Sequence, residues 1–226
     1  RSLVGSEMCI RDRVWFHGEN LWWLFRTRDF IPEYDKIYCV SEPVRKQVIA
    51  RFPELADRTE VLLNFIDIKQ VQRRSEEPLS DPQYTGELKF LTVGRASEEK
   101  GYDIAVQITA ELKKRGLCFK WFIIGDGRDL NKLRTMAKEY QVEQEIIFLG
   151  MRENPAPYVK SCDLYLQPSR HEGYPITIVE ARSLQKVIIA SDIPSMREQI
   201  RDGENGYLCP LDVICLLYTS PSPRDS

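Results

Sequence analysis

The chain has 226 residues, of which 42% are apolar and 29% charged, enough for a packed core and outside the composition of disordered chains. Its 32 basic and 34 acidic side chains leave a formal net charge of −2 with no basic stripe, which argues against nucleic acid as a partner. No apolar run approaches the roughly 20 residues that a membrane-spanning helix needs.

The two ends are set aside before the elements are read. Residues 215–225 (CLLYTSPSPRD) can be back-translated into a DNA string whose reverse complement, in another frame, encodes residues 3–12 (LVGSEMCIRD). Two unrelated-looking peptides are thus the two strands of one short DNA, and that DNA resembles a transposase adapter from sequencing-library preparation. Residues 1–13 and 214–226 are therefore read as artefactual tails, and both ends of the remainder as cuts. Four cysteines remain, Cys39, Cys118, Cys162 and Cys209, with neither CxxC nor metal-ligand spacing. Free, buried thiols in a reducing cytosol are the expectation.

In chain order, VWFHG (14–18), KIYCVS (36–41) and EVLLNFID (60–67) read as strands. Ser41 and Pro43 open a helix, the first as N-cap and the second in the first turn. Residues 69–87 are polar, carry two prolines and lack apolar periodicity, which reads as a linker. A more regular series follows, with strands at KFLTVG (89–94), FKWFIIG (119–125), IIFLG (146–150), LYLQPS (164–169) and VIIAS (187–191). The helix after the first of these places Ile104, Ile108 and Leu112 on one face and stops at Gly116; others are predicted near 128–140, 154–161, 175–184 and 194–200. Apolar strands alternating with helices imply α/β architecture, a parallel sheet covered on both faces. Residues 14–68 read as the C-terminal part of one Rossmann-like domain and 88–213 as a second, nearly complete and truncated at its C-terminal end. Three strands in the first part fall short of the five or six of a doubly wound domain.

In such sheets ligands bind beyond the carboxyl ends of the strands, and there the unusual residues cluster. LYLQPS runs into Ser169-Arg170-His171-Glu172-Gly173-Tyr174-Pro175 and a helix from Ile176. Pro175 suits the first turn of that helix, whose free N–H groups and partial positive charge make an anion site. Glu172 precedes the helix and Glu180 lies inside it; carboxylates beside an anion site accept hydrogen bonds from vicinal hydroxyls, so sugar plus phosphate is the natural ligand. After the first strand of the second domain, Arg95 and Lys100 flank one loop, a fork and a point charge for a phosphate pair. That loop is not a P-loop, because Glu99 and Gly101 stand where Gly and Ser or Thr belong. Gly125-Asp126-Gly127 is half of a dinucleotide fingerprint, with Leu130 at the third glycine position, and reads as a tight turn bringing backbone near the ligand. As an isolated pair, Glu172 and Glu180 would read as a loop acid and a solvated helix acid; a glycosidase would need them flanking one bond.

VGRASEEKG, IIGDG, FLG, QPSRHEGYPITIVEA and IIASDIPSMREQI resemble, in order and spacing, the C-terminal domain of family 4 glycosyltransferases with the GT-B fold. HEGYPITIVE looks like the E-x7-E motif of that family. His17, the D-x-I-x-x-V-S run from Asp35 to Ser41 and LNFID (63–67) fit the preceding domain, so the resemblance covers 14–213. It implies that Arg95 and Lys100 bind the donor diphosphate, Glu180 the ribose and Glu172 the transferred sugar. The backbone of Gly173, Tyr174, Pro175 and Ile176 would meet sugar and phosphate, Met151 and Arg152 would pack near the base, and His17 would face the sugar. It further implies transfer with retention, without metal or cofactor, since the UDP- or GDP-linked sugar is itself a substrate. The acceptor would be a hydroxyl of a sugar or lipid-linked acceptor. The setting would be synthesis of a surface polysaccharide or glycolipid, in the cytoplasm, with peripheral contact at the inner membrane face left open. The Trp22-Trp23-Leu24-Phe25 run could serve such a contact, although burial under the rest of the first domain is favoured.

A histidine on an apolar strand is as often a core residue as a catalyst, so His17 stays open between the two. Asp192 and Glu198 receive no role. A binding module that holds a nucleotide sugar without transferring it is the alternative of a different class; a nicotinamide-dependent oxidoreductase is disfavoured by the broken glycine fingerprint. Residues 14–213 alone are expected to show no turnover in a transfer assay, and residues 14–68 to exchange their amides rapidly; measurable turnover would contradict the first expectation.

Overall fold

Each short apolar run closes a parallel ladder with a neighbour, because its side chains must be buried on both faces at once. The computed structural model describes residues 13–17 and 34–211. The aromatic run Trp22-Trp23-Leu24-Phe25 and the tail 214–226 lie outside the described residues. Two units result: one holds the described residues up to Phe65 together with His171–Tyr174, the other Ile66–Arg170 and the described residues from Pro175 onward.

In the first unit, β1 (Arg13–Phe16), β2 (Lys36–Cys39) and β3 (Thr59–Val61) form a parallel sheet in that order. Helix α1 (Glu42–Arg51) follows β2, with Ser41 as N-cap and a proline in the first turn, as its sequence predicts. Phe16, Ile37, Cys39, Val44, Val48 and Leu55 form the core, all fully buried. The third strand is shorter than the apolar run at 60–67 predicts. Its ladder pairs Ile37 with Thr59 and ends at Cys39 with Val61, because β2 itself ends there. One more bond, from the Leu62 amide to the Cys39 carbonyl at 2.8 Å, follows the ladder, and Leu62, Leu63 and Phe65 are exposed.

The second unit carries β4 (Lys89–Val93), β5 (Lys120–Ile124), β6 (Ile146–Gly150), β7 (Leu164–Gln167), β8 (Val187–Ser191) and β9 (Tyr207–Cys209). They are parallel and lie in the order β6-β5-β4-β7-β8-β9, the order of a doubly wound sheet. Side chains alternate faces as strand geometry requires. Leu91, Phe122, Ile124, Tyr165 and Ile188 pack on one face with α5 (Ala156–Ser161), α6 (Ile176–Ser183) and α7 (Pro194–Arg197). Phe90, Trp121, Ile123 and Leu166 pack on the other with α3 (Tyr102–Lys114) and α4 (Leu130–Glu139).

Part of the stretch read as a linker is helical: α2 spans Ile68–Ser75. Asp67 caps it by accepting from the Gln70 amide at 3.0 Å. Its sequence looks featureless because it lies on the surface of the second unit, where Gln72 Nε2 reaches the Ser183 carbonyl at 3.2 Å and Arg74 Nη2 the Glu153 carbonyl at 3.0 Å. Strand β9 was not predicted, being three residues long. The cysteines are free; Cys39, Cys162 and Cys209 are buried, whereas Cys118 is exposed in the loop before β5. Burial raises the thiols of Cys39 and Cys162 to about 12, which makes them inert.

β4 and β7 are neighbours, but α3 and α6, the helices that follow them, cover opposite faces. Gly101 closes this junction. It adopts φ 65°, and a Cβ there would lie 2.0 Å from the Pro168 carbonyl oxygen just past β7. Gly101→Ala is expected to cost about 2 kcal/mol or more, combining left-handed strain with that clash. Denaturant unfolding measures it, and wild-type stability would remove Gly101 as the closing residue.

Candidate functional site

All six strands of the second sheet point the same way, so the segments that follow them share one edge. The break in strand order at β4 and β7 opens a crevice there, because their connections leave to opposite faces. Arg95 and Lys100 lie on the loop after β4, with Arg95 exposed and Lys100 half-buried. The lysine stem folds back over the strand end: a Cβ on Gly94 would meet Lys100 Cδ at 3.7 Å and Cε at 3.6 Å. Gly125, at φ 139°, brings the turn after β5 against the same loop, where a Cβ would meet the Gly94 carbonyl at 1.9 Å. That glycine therefore serves contact between two loops, which is a different use from the approach to ligand predicted for it.

After β7 the chain reaches Pro175, the residue preceding α6, with φ −67° and ψ 109°. It occupies the N-cap, one position earlier than the first-turn place predicted, and still removes one N–H that the helix could not pair. No side chain caps this helix start. Ile176, its first residue, is exposed. Glu180, two turns from the start at most, is half-buried, and burial raises its carboxyl above the ordinary range, with the charge of Arg74 partly opposing. Met151 follows β6 at the same edge and is 74% exposed. Its neighbour Arg152 has a structural commitment instead: Nη2 and Nε donate to Asp81 Oδ2 at 2.8 and 3.1 Å, and the Tyr158 hydroxyl donates to the same oxygen at 2.9 Å.

Arg95, Lys100, Met151, Pro175, Ile176 and Glu180 thus belong to one unit and one sheet edge. Glu172, Gly173 and Tyr174 group with the first unit. Glu172 is buried at 8% exposure. Tyr174 packs its ring against the core around Phe16 and Ile37, and its carbonyl accepts from Asn64 Nδ2 at 3.4 Å. The side chain is half-buried against that core, and the donor contact predicted for this residue is one of its backbone. His17 is exposed one residue past β1, its ring tilted 43° against that of Trp15 with centroids 4.5 Å apart, so the described residues do not place it in a core. Asp192 is held by Arg197 at 2.6 and 2.9 Å.

The model of the family described as glycosyl transferases group 1 matches residues 74–212. The chain belongs to that family. It is 29% identical, over 79% of its own length and 43% of the relative's, to an uncharacterized glycosyltransferase of Methanocaldococcus jannaschii. It is 26% identical, over 80% of its length and 48% of the relative's, to the N-acetylgalactosamine-N,N'-diacetylbacillosaminyl-diphospho-undecaprenol 4-alpha-N-acetylgalactosaminyltransferase of Campylobacter jejuni. It therefore spans less than half of each of these relatives. A variant of S. aureus TarM, crystallised with alpha-GlcNAc-glycerol and UDP, superposes with a TM-score of 0.72 at 19% identity, covering 88% of this chain and 40% of that one. The fold of this group 1 glycosyl transferase is GT-B.

One residue of the edge escaped the sequence reading. Arg170 leaves β7 towards the loop after β4 and pairs through both guanidinium ends with Asp103, at 2.7 and 2.6 Å. Its backbone amide donates to the Glu99 carbonyl at 2.7 Å. The only local hint was an arginine directly after a strand end. Among the described residues no group of three or more His, Cys, Asp or Glu could hold a metal ion, and no helix is long and apolar enough to cross a membrane.

The raised Glu180 carboxyl has a consequence for stability. The folded chain holds this proton more tightly than the unfolded chain, so the favourable contribution is complete below the ordinary glutamate range and is lost as pH rises through the raised value. Glu180→Gln is expected to raise the thermal midpoint by about 2–4 °C at pH 8 and to leave it unchanged near about pH 4. Equal midpoints at pH 8 would contradict burial as the cause.

Proposed function

We propose that the chain is the nucleotide-sugar-binding portion of a glycosyltransferase that moves a hexose-type sugar from a UDP- or GDP-linked donor to a hydroxyl, with retention at the anomeric carbon. The observation that carries this reading is the pairing of β4 with β7: a loop with two basic side chains follows one strand, and the helix that follows the other starts without a side-chain cap. Both supply positive potential where a diphosphate would lie, and the guanidinium and ammonium divide fork and point-charge roles.

In this reading Arg95, Lys100 and the first amides of α6 stabilise the departing diphosphate electrostatically, and no metal is required. Glu180 accepts hydrogen bonds from the ribose hydroxyls, and Met151 lies by the base. Glu172 is assigned to hydroxyls of the transferred sugar and His17 to the sugar as well; both belong to the first unit. Retention by front-face attack assisted by the leaving phosphate asks the protein for leaving-group stabilisation above all. The names of relatives support a hydroxyl acceptor on a sugar or a lipid-linked sugar, the Campylobacter jejuni enzyme being named for a diphospho-undecaprenol substrate. UDP in the TarM crystal supports a UDP-linked donor.

Titration with UDP, GDP and NAD tests the ligand class. UDP or GDP is expected to bind, and Lys100→Ala or Arg95→Ala to weaken it about 10- to 100-fold, the loss of a charge-assisted contact to phosphate. Binding of NAD without preference for a diphosphate would overturn the reading. Turnover is assayed on the complete reading frame that contains this segment, with a chelator present. Loss of turnover in Glu172→Ala with diphosphate binding intact is the enzyme outcome, and binding without any turnover identifies a non-catalytic module.

A further inference from the structure

The loop that carries Arg95 and Lys100 has little regular structure of its own. It contains a single 3-10 turn, Glu98–Lys100, and short bonds such as Lys100 N to the Ser97 carbonyl at 3.0 Å. Helix α3 beyond it needs no help, since Ile104, Ala105 and Ile108 bury its apolar face. At its start the loop is tied to the turn after β5, where the Ala96 amide donates to the Asp126 carbonyl at 3.0 Å and the Ala96 carbonyl accepts from the Asp129 amide at 3.2 Å; its second half is tied from across the β4–β7 boundary. The Arg170 amide donates to the Glu99 carbonyl at 2.7 Å and Nη1 to the Glu98 carbonyl at 3.0 Å. Nη1 and Nη2 then fork onto the two carboxylate oxygens of Asp103, in the first turn of α3. Both side chains are about one-third exposed, 30% and 33%, so the pair is neither stranded in the core nor loose in water.

We propose that Arg170 is a positioning residue for the donor: it locks loop 95–101 to the end of β7 and holds Arg95 and Lys100 in place before a diphosphate arrives. The inference rests on the diphosphate reading of this site. Four hydrogen bonds from one residue fix the loop at two carbonyls and the first turn of α3 at one carboxylate, so the entropy of ordering two long basic side chains is met largely at folding and not at binding. The carboxyl of Asp103 is held below the ordinary range, chiefly by its hydrogen bond from Arg170, so the fork persists in its ionised form through neutral pH. Lysine cannot reproduce a bidentate fork, which makes Arg170→Lys an informative substitution.

The test measures UDP and GDP affinity by calorimetry and hydrogen exchange at amides 95–101, on this chain and on Arg170→Ala, Arg170→Lys and Asp103→Asn. Arg170→Ala is expected to lose about tenfold in affinity and to speed exchange in the loop about tenfold, while amides of β4 and β5 keep their protection. Arg170→Lys and Asp103→Asn fall between, and adding Asp103→Ala to Arg170→Ala costs less than about twofold more, as expected for one shared interaction. Wild-type affinity in Arg170→Ala overturns the proposal, and so does lost affinity with loop exchange unchanged. If the unmodified chain binds neither diphosphate, the functional reading fails and takes this one with it, an outcome separate from the other two.

Discussion

The pairing of β4 with β7 is the constraint on which the rest of this molecule depends. The ladder sets Phe90 beside Leu164 and Leu91 beside Tyr165, joining strands more than seventy residues apart in sequence. The strand before the junction sends its helix to one face and the strand after it sends its helix to the other, so the two connections diverge at that edge. A crevice at that place follows from chain connectivity alone, whatever side chains line it. What the sequence adds is charge: a basic loop on one side and a helix start on the other.

Buried polar side chains hold that junction in one register. Thr92, fully buried, donates to the Leu166 carbonyl at 2.7 Å and accepts from Trp121 Nε1 at 2.9 Å, which joins β5, β4 and β7 through one hydroxyl. Gln167 continues the row by donating to Ser169 at 3.0 Å and accepting from the Tyr165 hydroxyl at 3.2 Å. In a low-dielectric interior an unsatisfied group costs about 1–3 kcal/mol, so slipping a strand by one residue would break several such pairs together. At the surface the same job falls to two arginines, each placed just beyond a strand end. Arg152 follows β6 and clasps Asp81; Arg170 follows β7 and clasps Asp103. Each joins a strand-end loop to a distant segment, which is a use for a planar fork that lysine does not share.

How much of this could be read from residues depends on the range of the interaction. Strands such as KFLTV and KWFII were legible because both faces are buried and the runs are mostly apolar. Helix α3 was legible because its buried positions recur at helical spacing. Helix α2 was not, since its burial is slight and its bonds go to backbone far along the chain. Arg95, Lys100, Pro175 and Glu180 could be singled out because they follow apolar strands at motif spacing. Arg170 was passed over because its partner Asp103 lies sixty-seven residues away, and no local pattern records a fork. Tyr174 adds a contact that its motif does not record: its half-buried side chain packs against the core of the first unit.

Two carboxylates of the second unit carry the functional argument to its last step. Asp103 is paired, and its ordinary charge is made more secure by Arg170. Glu180 is half-buried and displaced the other way, with burial as the main cause and Arg74 only partly opposing it. Folding alone gives no reason to hold a carboxyl where its charge is disfavoured; a leucine or glutamine would fit such a helix position with less cost. Ligand hydroxyls would supply the missing reason. Each hydrogen bond they donate favours the ionised form and offsets the desolvation already incurred, so the same burial that weakens the empty chain strengthens the bound one.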